Sequence, residues 1–115
     1  MSENKFVVAQ DGDIEDGEAI KIDRAITGAD DDIAVFFDNG EYFALNDTCS
    51  HATASLSEGW IENGEVECPM HSGRFCLASG EVLSMPASEN MRTHRVVLEN
   101  GDVILYPGVP AGVKA

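Results

Sequence analysis

Two short stretches constrain this chain more than any other feature: Cys49-Ser50-His51 and, after sixteen intervening residues, Cys68-Pro69-Met70-His71. Each joins one thiol to one imidazole. A Cys-x-His spacing is too short for both side chains to share one face of a helix. In a tight loop, alternate side chains turn toward one centre. Of the three cysteines and three histidines in the whole chain, two of each fall in this array. The four are therefore read as ligands of a metal centre, in preference to buried thiols and surface histidines with no common purpose. The first pair follows an expected strand ending near Leu45 and the second follows one ending at Cys68. Adjacent strands would bring both loops to one end of a sheet, where loops on a rigid scaffold commonly carry function.

Two centres fit four such ligands. A mononuclear zinc site with two thiolates and two imidazoles is closed and structural, but its usual spacing pairs Cys with Cys and His with His. Here each loop carries one of each, which suits a 2Fe-2S cluster whose two irons are served unequally, one by Cys49 and Cys68 and the other by His51 and His71. Neutral imidazoles make the oxidised centre less negative and raise its potential above that of all-cysteine clusters. Colour separates the two, because only the iron centre is brown and yields acid-labile sulfide.

The scaffold reads as all-β. Short apolar alternations are broken by turn dipeptides, and Asn39-Gly40, Asn63-Gly64 and Asn100-Gly101 each supply the positive φ values of a tight hairpin. They join expected strands 32–38 to 41–45, 60–62 to 65–68, and 94–99 to 102–106, with Ile33, Val35 and Phe37 sharing one face. Further strands are expected at 5–10, 19–24, 74–77 and 81–83, and helix content should be low. At 115 residues the chain fits a single domain, 1–115, of a size at which a metal staple is useful. The acidic clusters 11–18 and 30–32 read as solvated turns, and the breaker-rich tail 107–115 as extended or fraying.

Charge narrows the partners. With 21 Asp and Glu against 7 Lys and Arg, the formal net charge is -14, so nucleic acid and anionic membrane surfaces are excluded as natural partners. An acidic shell suits encounter with basic patches on other proteins. No run approaches the roughly 20 apolar residues that span a bilayer, the N-terminus lacks the pattern of a signal peptide, and an odd cysteine count argues against a disulfide framework. The expectation is a cytoplasmic protein.

The pattern Cys49-x-His51, sixteen residues, Cys68-x-x-His71 resembles the Rieske motif. The flanks agree: Asn46-Asp47-Thr48, Leu56-Ser57-Glu58-Gly59, Gly73-Arg74-Phe75, and a later Met85-Pro86-Ala87 that resembles the family's third loop, in which a proline segment covers the cluster. The resemblance runs from about residue 5 to 106. It implies a stack of three small antiparallel sheets, with a cluster-binding subdomain at one tip over about residues 46–75. Respiratory and photosynthetic members carry an extra cysteine in each loop, where this chain has Ala54 and Met70, and serine and tyrosine hydroxyls near the cluster, where it has Gly73 and Phe75. The chain is in this respect similar to the low-potential ferredoxins of bacterial aromatic-ring-hydroxylating dioxygenase systems.

That likeness implies a carrier, not an enzyme: a monomer that docks transiently, taking electrons from an NAD(P)H-dependent flavoprotein ferredoxin reductase and giving them to a terminal oxygenase. The chain has no open coordination site and no nucleotide fingerprint of its own. The alternative is a Rieske-like small subunit fixed in a larger reductase, such as a nitrite reductase. Three other residues are given plainer roles: Cys76 as a half-buried strand thiol, His94 as a surface or packing residue, and Trp60 as core.

Overall fold

The three Asn-Gly pairs form the hairpins expected of them. Asn39, Asn63 and Asn100 have φ of 55°, 54° and 53°, and each is followed by a glycine also in the left-handed region, the backbone of a type I′ turn whose twist matches that of its strands. The computed structural model describes residues 5–48, 54–69, 73–84 and 90–111. Within them run β1 (Phe6–Gln10), β2 (Glu18–Ile22), a one-turn helix α1 (Arg24–Thr27), β3 (Ile33–Asp38), β4 (Glu41–Asn46), a 3-10 turn (Leu56–Glu58), β5 (Trp60–Glu62), β6 (Glu65–Glu67), β7 (Arg74–Cys76), β8 (Val82–Ser84), β9 (Thr93–Glu99) and β10 (Asp102–Tyr106).

These strands make two antiparallel sheets, not the three expected. The larger has the order β1-β10-β9-β4-β3-β2 and the smaller β5-β6-β7-β8. What would have been separate sheets fuse because β4 pairs with β9 through Ala44 with His94 and Leu45 with Thr93.

β3 shows how the layers pack. Its alternate residues face opposite ways, and both faces are buried. Ile33 and Val35 join Ile22, Ala44, Val103 and Leu105 in one core, with Phe37 packed against it, as the alternation implied. Ala34 and Phe36 point the other way and meet Leu45, Leu56, Val66, Cys68 and Phe75. The second cluster glues the small sheet to the large one, with Ile61 and Val82 completing its rim. At the far end of the small sheet, buried Asp38 accepts a hydrogen bond at Oδ2 from the Gly64 N–H at 2.6 Å.

Two further expectations need correction, and a third holds with an addition. Trp60 is not core but 65 % exposed: β5 is an edge strand whose alternation turns Ile61 inward and Trp60 and Glu62 outward. The tail does not run free through residue 111. The Arg95 N–H donates to the Val109 carbonyl at 2.6 Å, and the Ala111 N–H donates to Thr93 Oγ1 at 3.0 Å. The acidic clusters are built in as well as solvated, since Asp16 Oδ1 accepts from the Asn39 N–H and Asp32 Oδ1 from the Arg24 N–H.

Candidate metal centre

Of the four expected ligands, Cys68 is described, whereas Cys49, His51 and His71 lie outside the described residues, as do Met70 and the 85–87 segment. The stems of the loops that carry them are well defined. β4 delivers the chain to Asp47 and Thr48, and the chain returns at Ala54 and Ser55, where an antiparallel bridge pairs Thr48 with Ser55. Asp47 is 3 % exposed. Its Oδ2 accepts from Ser55 Oγ at 2.6 Å and its Oδ1 from the Ser57 N–H at 2.9 Å, so one carboxylate spans the mouth of the first loop. Asp31 holds the other side, accepting from the Thr48 N–H at 3.0 Å and from Thr48 Oγ1 at 2.8 Å.

The second stem is shorter. β6 leads into Cys68, whose N–H donates to the Gly73 carbonyl at 2.7 Å, closing the loop before β7 departs. Beside it the Arg74 guanidinium contacts Glu65 at 3.0 Å and Glu67 at 3.1 Å, and these carboxylates hold Arg74 above its ordinary value. Gly59 brings the stems together. A Cβ there would overlap the Glu67 carbonyl, so only glycine lets the return of the first loop press against the strand that enters the second.

The two loops thus leave different sheets, not adjacent strands of one as the sequence suggested. Leu45 of β4 and Val66 of β6 share one apolar cluster across the layer boundary, and this packing joins the loop stems. A third stem lies alongside, with Asn90 Oδ1 accepting from the Val82 N–H at 2.9 Å and the Met91 N–H donating to the Gly80 carbonyl at 2.7 Å.

His94 is a packing residue, 2 % exposed. Its Nδ1 accepts from the Gly108 N–H at 2.9 Å, leaving Nε2 to donate to Asn46 Oδ1 at 2.6 Å. Burial above all, then the Arg92 guanidinium, against an opposing pull from Asp31, brings it down to about 4. Cys76 is half-buried on β7, as expected, and a hydrogen bond from the Ser79 side chain is the main cause lowering its thiol below the ordinary value.

The Rieske [2Fe-2S] domain model matches residues 4–103. The chain belongs to the Rieske family. The 3-phenylpropionate/cinnamic acid dioxygenase ferredoxin subunit of Escherichia coli strain K12 is 40 % identical over 103 residues, covering 89 % of this chain and 92 % of that one. A chain from the complex of reduced oxygenase and oxidized ferredoxin in carbazole 1,9a-dioxygenase superposes with a TM-score of 0.84 at 29 % identity, covering 95 % of this chain and 97 % of that one. The Sphingomonas yanoikuyae B1 ferredoxin gives 0.80 at 29 % identity, covering 90 % and 98 %. The protein is a Rieske ferredoxin, an electron carrier with one 2Fe-2S cluster and not itself an enzyme.

The described residues fit such a cofactor. Cys68 is fully buried in the same cluster as Leu56 and Phe75, with Ala54 packed against it, an apolar setting that would suit an iron-bound thiolate. Phe75, where high-potential Rieske proteins carry a hydroxyl, is likewise fully buried. Asp47 and Gly59 entered the sequence reading as flanks of the ligand motif and Asp31 as a solvated charge, and none of the three was given a structural role. The signal available for Asp47 was its place two residues before Cys49, and for Gly59 its place directly before a strand.

Proposed function

We propose that Cys49 and Cys68 bind one iron and His51 and His71 the other, in a cluster-binding subdomain of about residues 46–75 within the single domain 1–115. When bound, the cluster supplies a centre that gains and loses one electron without proton or group transfer. The protein's part is to hold four ligands still, so that little rearrangement accompanies each change of charge. Asp47 and Asp31 fix the first stem, and the Cys68–Gly73 hydrogen bond fixes the second. The observation that carries this reading is the contact of Gly59 with the Glu67 carbonyl, which sets the two stems side by side directly before Cys68.

The electrons come from an NAD(P)H-dependent flavoprotein reductase and pass to a terminal ring-hydroxylating oxygenase in the cytoplasm, the chain acting as a monomer that docks transiently. Support comes from the dioxygenase ferredoxin subunits to which it is related. No helix among the described residues is long and apolar enough to cross a membrane. His71→Ala tests the ligand set through iron, acid-labile sulfide and the electron paramagnetic resonance of the reduced protein. Loss of the low average-g signal of mixed Cys and His ligation is expected, and an unchanged signal removes His71 from the site.

A further inference from the structure

Directly paired residues of an antiparallel sheet point to the same face, so register alone sorts the small sheet. Ile61, Val66, Phe75 and Val82 line up on the inner face, against the core. Trp60 pairs with Glu67, and Glu67 with Arg74, giving a row on the outer face; Glu62, Glu65 and Cys76 form the next. The first row is the one nearest the ligand loops. Trp60 directly follows Gly59 at the return of the first loop, Glu67 directly precedes Cys68, and Arg74 directly follows Gly73. The outer face therefore continues without a break into the stems of the metal centre.

Two features of this face call for a covering partner. Trp60, the only tryptophan of the chain, lies 65 % exposed at the edge of the row, although an indole in water forgoes a large burial energy and is among the side chains most enriched as interface anchors. The surroundings are acidic. Residues 60–84 carry Glu62, Glu65, Glu67 and Glu81 against Arg74 as their one Lys or Arg, and Arg74 is already engaged by two of those carboxylates.

We propose that the outer face of the β5–β8 sheet is the docking surface for a redox partner protein, whose contact patch carries Lys and Arg around a shallow apolar depression that receives Trp60. This rests on the electron-carrier reading and adds to it which side of the molecule the partner covers. The glutamates steer the encounter and Trp60 holds the complex, so the two contributions separate by their response to salt. Leu98, another exposed apolar residue at 48 %, belongs to β9 of the large sheet and takes no part.

Horse-heart ferricytochrome c, a lysine-rimmed one-electron acceptor, serves as the probe, and the cluster-loaded protein reduced with dithionite as the donor. One electron passes to the haem iron and no bond is made or broken. Trp60→Ala should slow the second-order reaction about thirtyfold, the effect of a truncation at the lower end of the hot-spot range, while Leu98→Ala leaves it unchanged. Glu62→Lys should slow it at low ionic strength and flatten its dependence on salt. Reduction potential and paramagnetic signal are measured on every variant and should match the wild type. Equal rates for wild type and Trp60→Ala at unchanged potential, or an equal loss in Leu98→Ala, overturn the docking face. A wild-type protein that lacks the 2Fe-2S signal or fails to reduce the probe overturns the carrier reading instead.

Discussion

The two sheets are held together in different ways. Strands of the large sheet run five to seven residues, and its core contains Ile33, Val35, Val103 and Leu105 at 0 % exposure. At about 25 cal/mol per Å² of apolar surface removed from water, such a sheet supplies its own reason to form. Each strand of the small sheet has three residues. Its inner face is buried only because the large sheet lends Ala34, Phe36 and Leu45 to cover it; the second and third loops leave from it, and the first, which starts from β4, returns to it at β5. The large sheet is stabilised by its own burial, while the small sheet leans on the large one and, with the ligand set proposed above, would lean also on the centre, in keeping with the low local stability typical of binding regions.

The strongest way to break this contrast is to remove the metal. In the His71→Ala protein, hydrogen exchange at the amides of Val66, Glu67 and Phe75 should rise by orders of magnitude, while those of Val35, Leu45 and Leu105 stay protected. Uniform loss of protection in both sheets would show that they fold as one unit and that the centre supports the whole molecule.

Next in size is Phe75→Ala. Phe75 is fully buried where both sheets meet, and emptying such a site costs about 3–5 kcal/mol. Thermal unfolding of the cluster-loaded protein should show that loss. A cost below about 1 kcal/mol would mean that the small sheet collapses around the gap, and that its core is looser than its burial suggests.

Acid tests the other half. His94 stays neutral in the fold down to about 4, whereas in the unfolded chain it takes up a proton at about 6.5. Between these values the unfolded state binds more protons, so stability falls as pH falls, by up to about 3 kcal/mol from this residue. Below about 4 both states are protonated and the loss is complete. The change of urea stability between pH 7 and pH 4.5 should be smaller in His94→Gln than in the wild type. Equal changes would exonerate His94 and assign the acid sensitivity to carboxylates.

The smallest effect concerns potential, expected near the lower end of the Rieske range at roughly -150 mV. Hydroxyl donors to cluster sulfur stabilise the reduced, more negative form. Each is worth on the order of 1 kcal/mol, or about 40 mV for one electron. Gly73→Ser with Phe75→Tyr should therefore raise the potential by several tens of millivolts in film voltammetry. A wild-type value near +300 mV would exclude the low-potential reading, and a double variant with intact signal and no rise would exclude the missing hydroxyls as its cause.

What could be read from the sequence was whatever is encoded locally. Asn-Gly pairs name their own turn, and a strand such as β10 announces itself by Asp102 after the turn and an apolar run to Tyr106. The ligand pattern was legible because Cys and His are scarce. Longer-range pairing was hidden: nothing in Ala44 or His94 says that β4 and β9 will join two sheets into one. Trp60 misled because an aromatic in an alternating strand reads as core unless the inward face is known. Helix α1 was missed although Asp23 caps it through the Ala25 N–H and Gly28 ends it at φ 77°. Four residues are too few for a helical period to show. The clamp of Asp47 on Ser55 and Ser57 needed the folded chain, since a motif flank shows that a carboxylate precedes the first loop but not which residues beyond the loop it will bond.

The order of the large sheet leaves β1 and β2 at its margins, each a row of backbone groups open to pairing with a neighbouring molecule. Neither is an inviting template. β1 carries an irregularity between Val7 and Ala9 that breaks its regular spacing, and β2 sets Glu18 and Lys21 in solvent. An exposed sheet edge is where copies of a protein add to one another, and these two interrupted margins discourage this chain from growing strand by strand into a fibre.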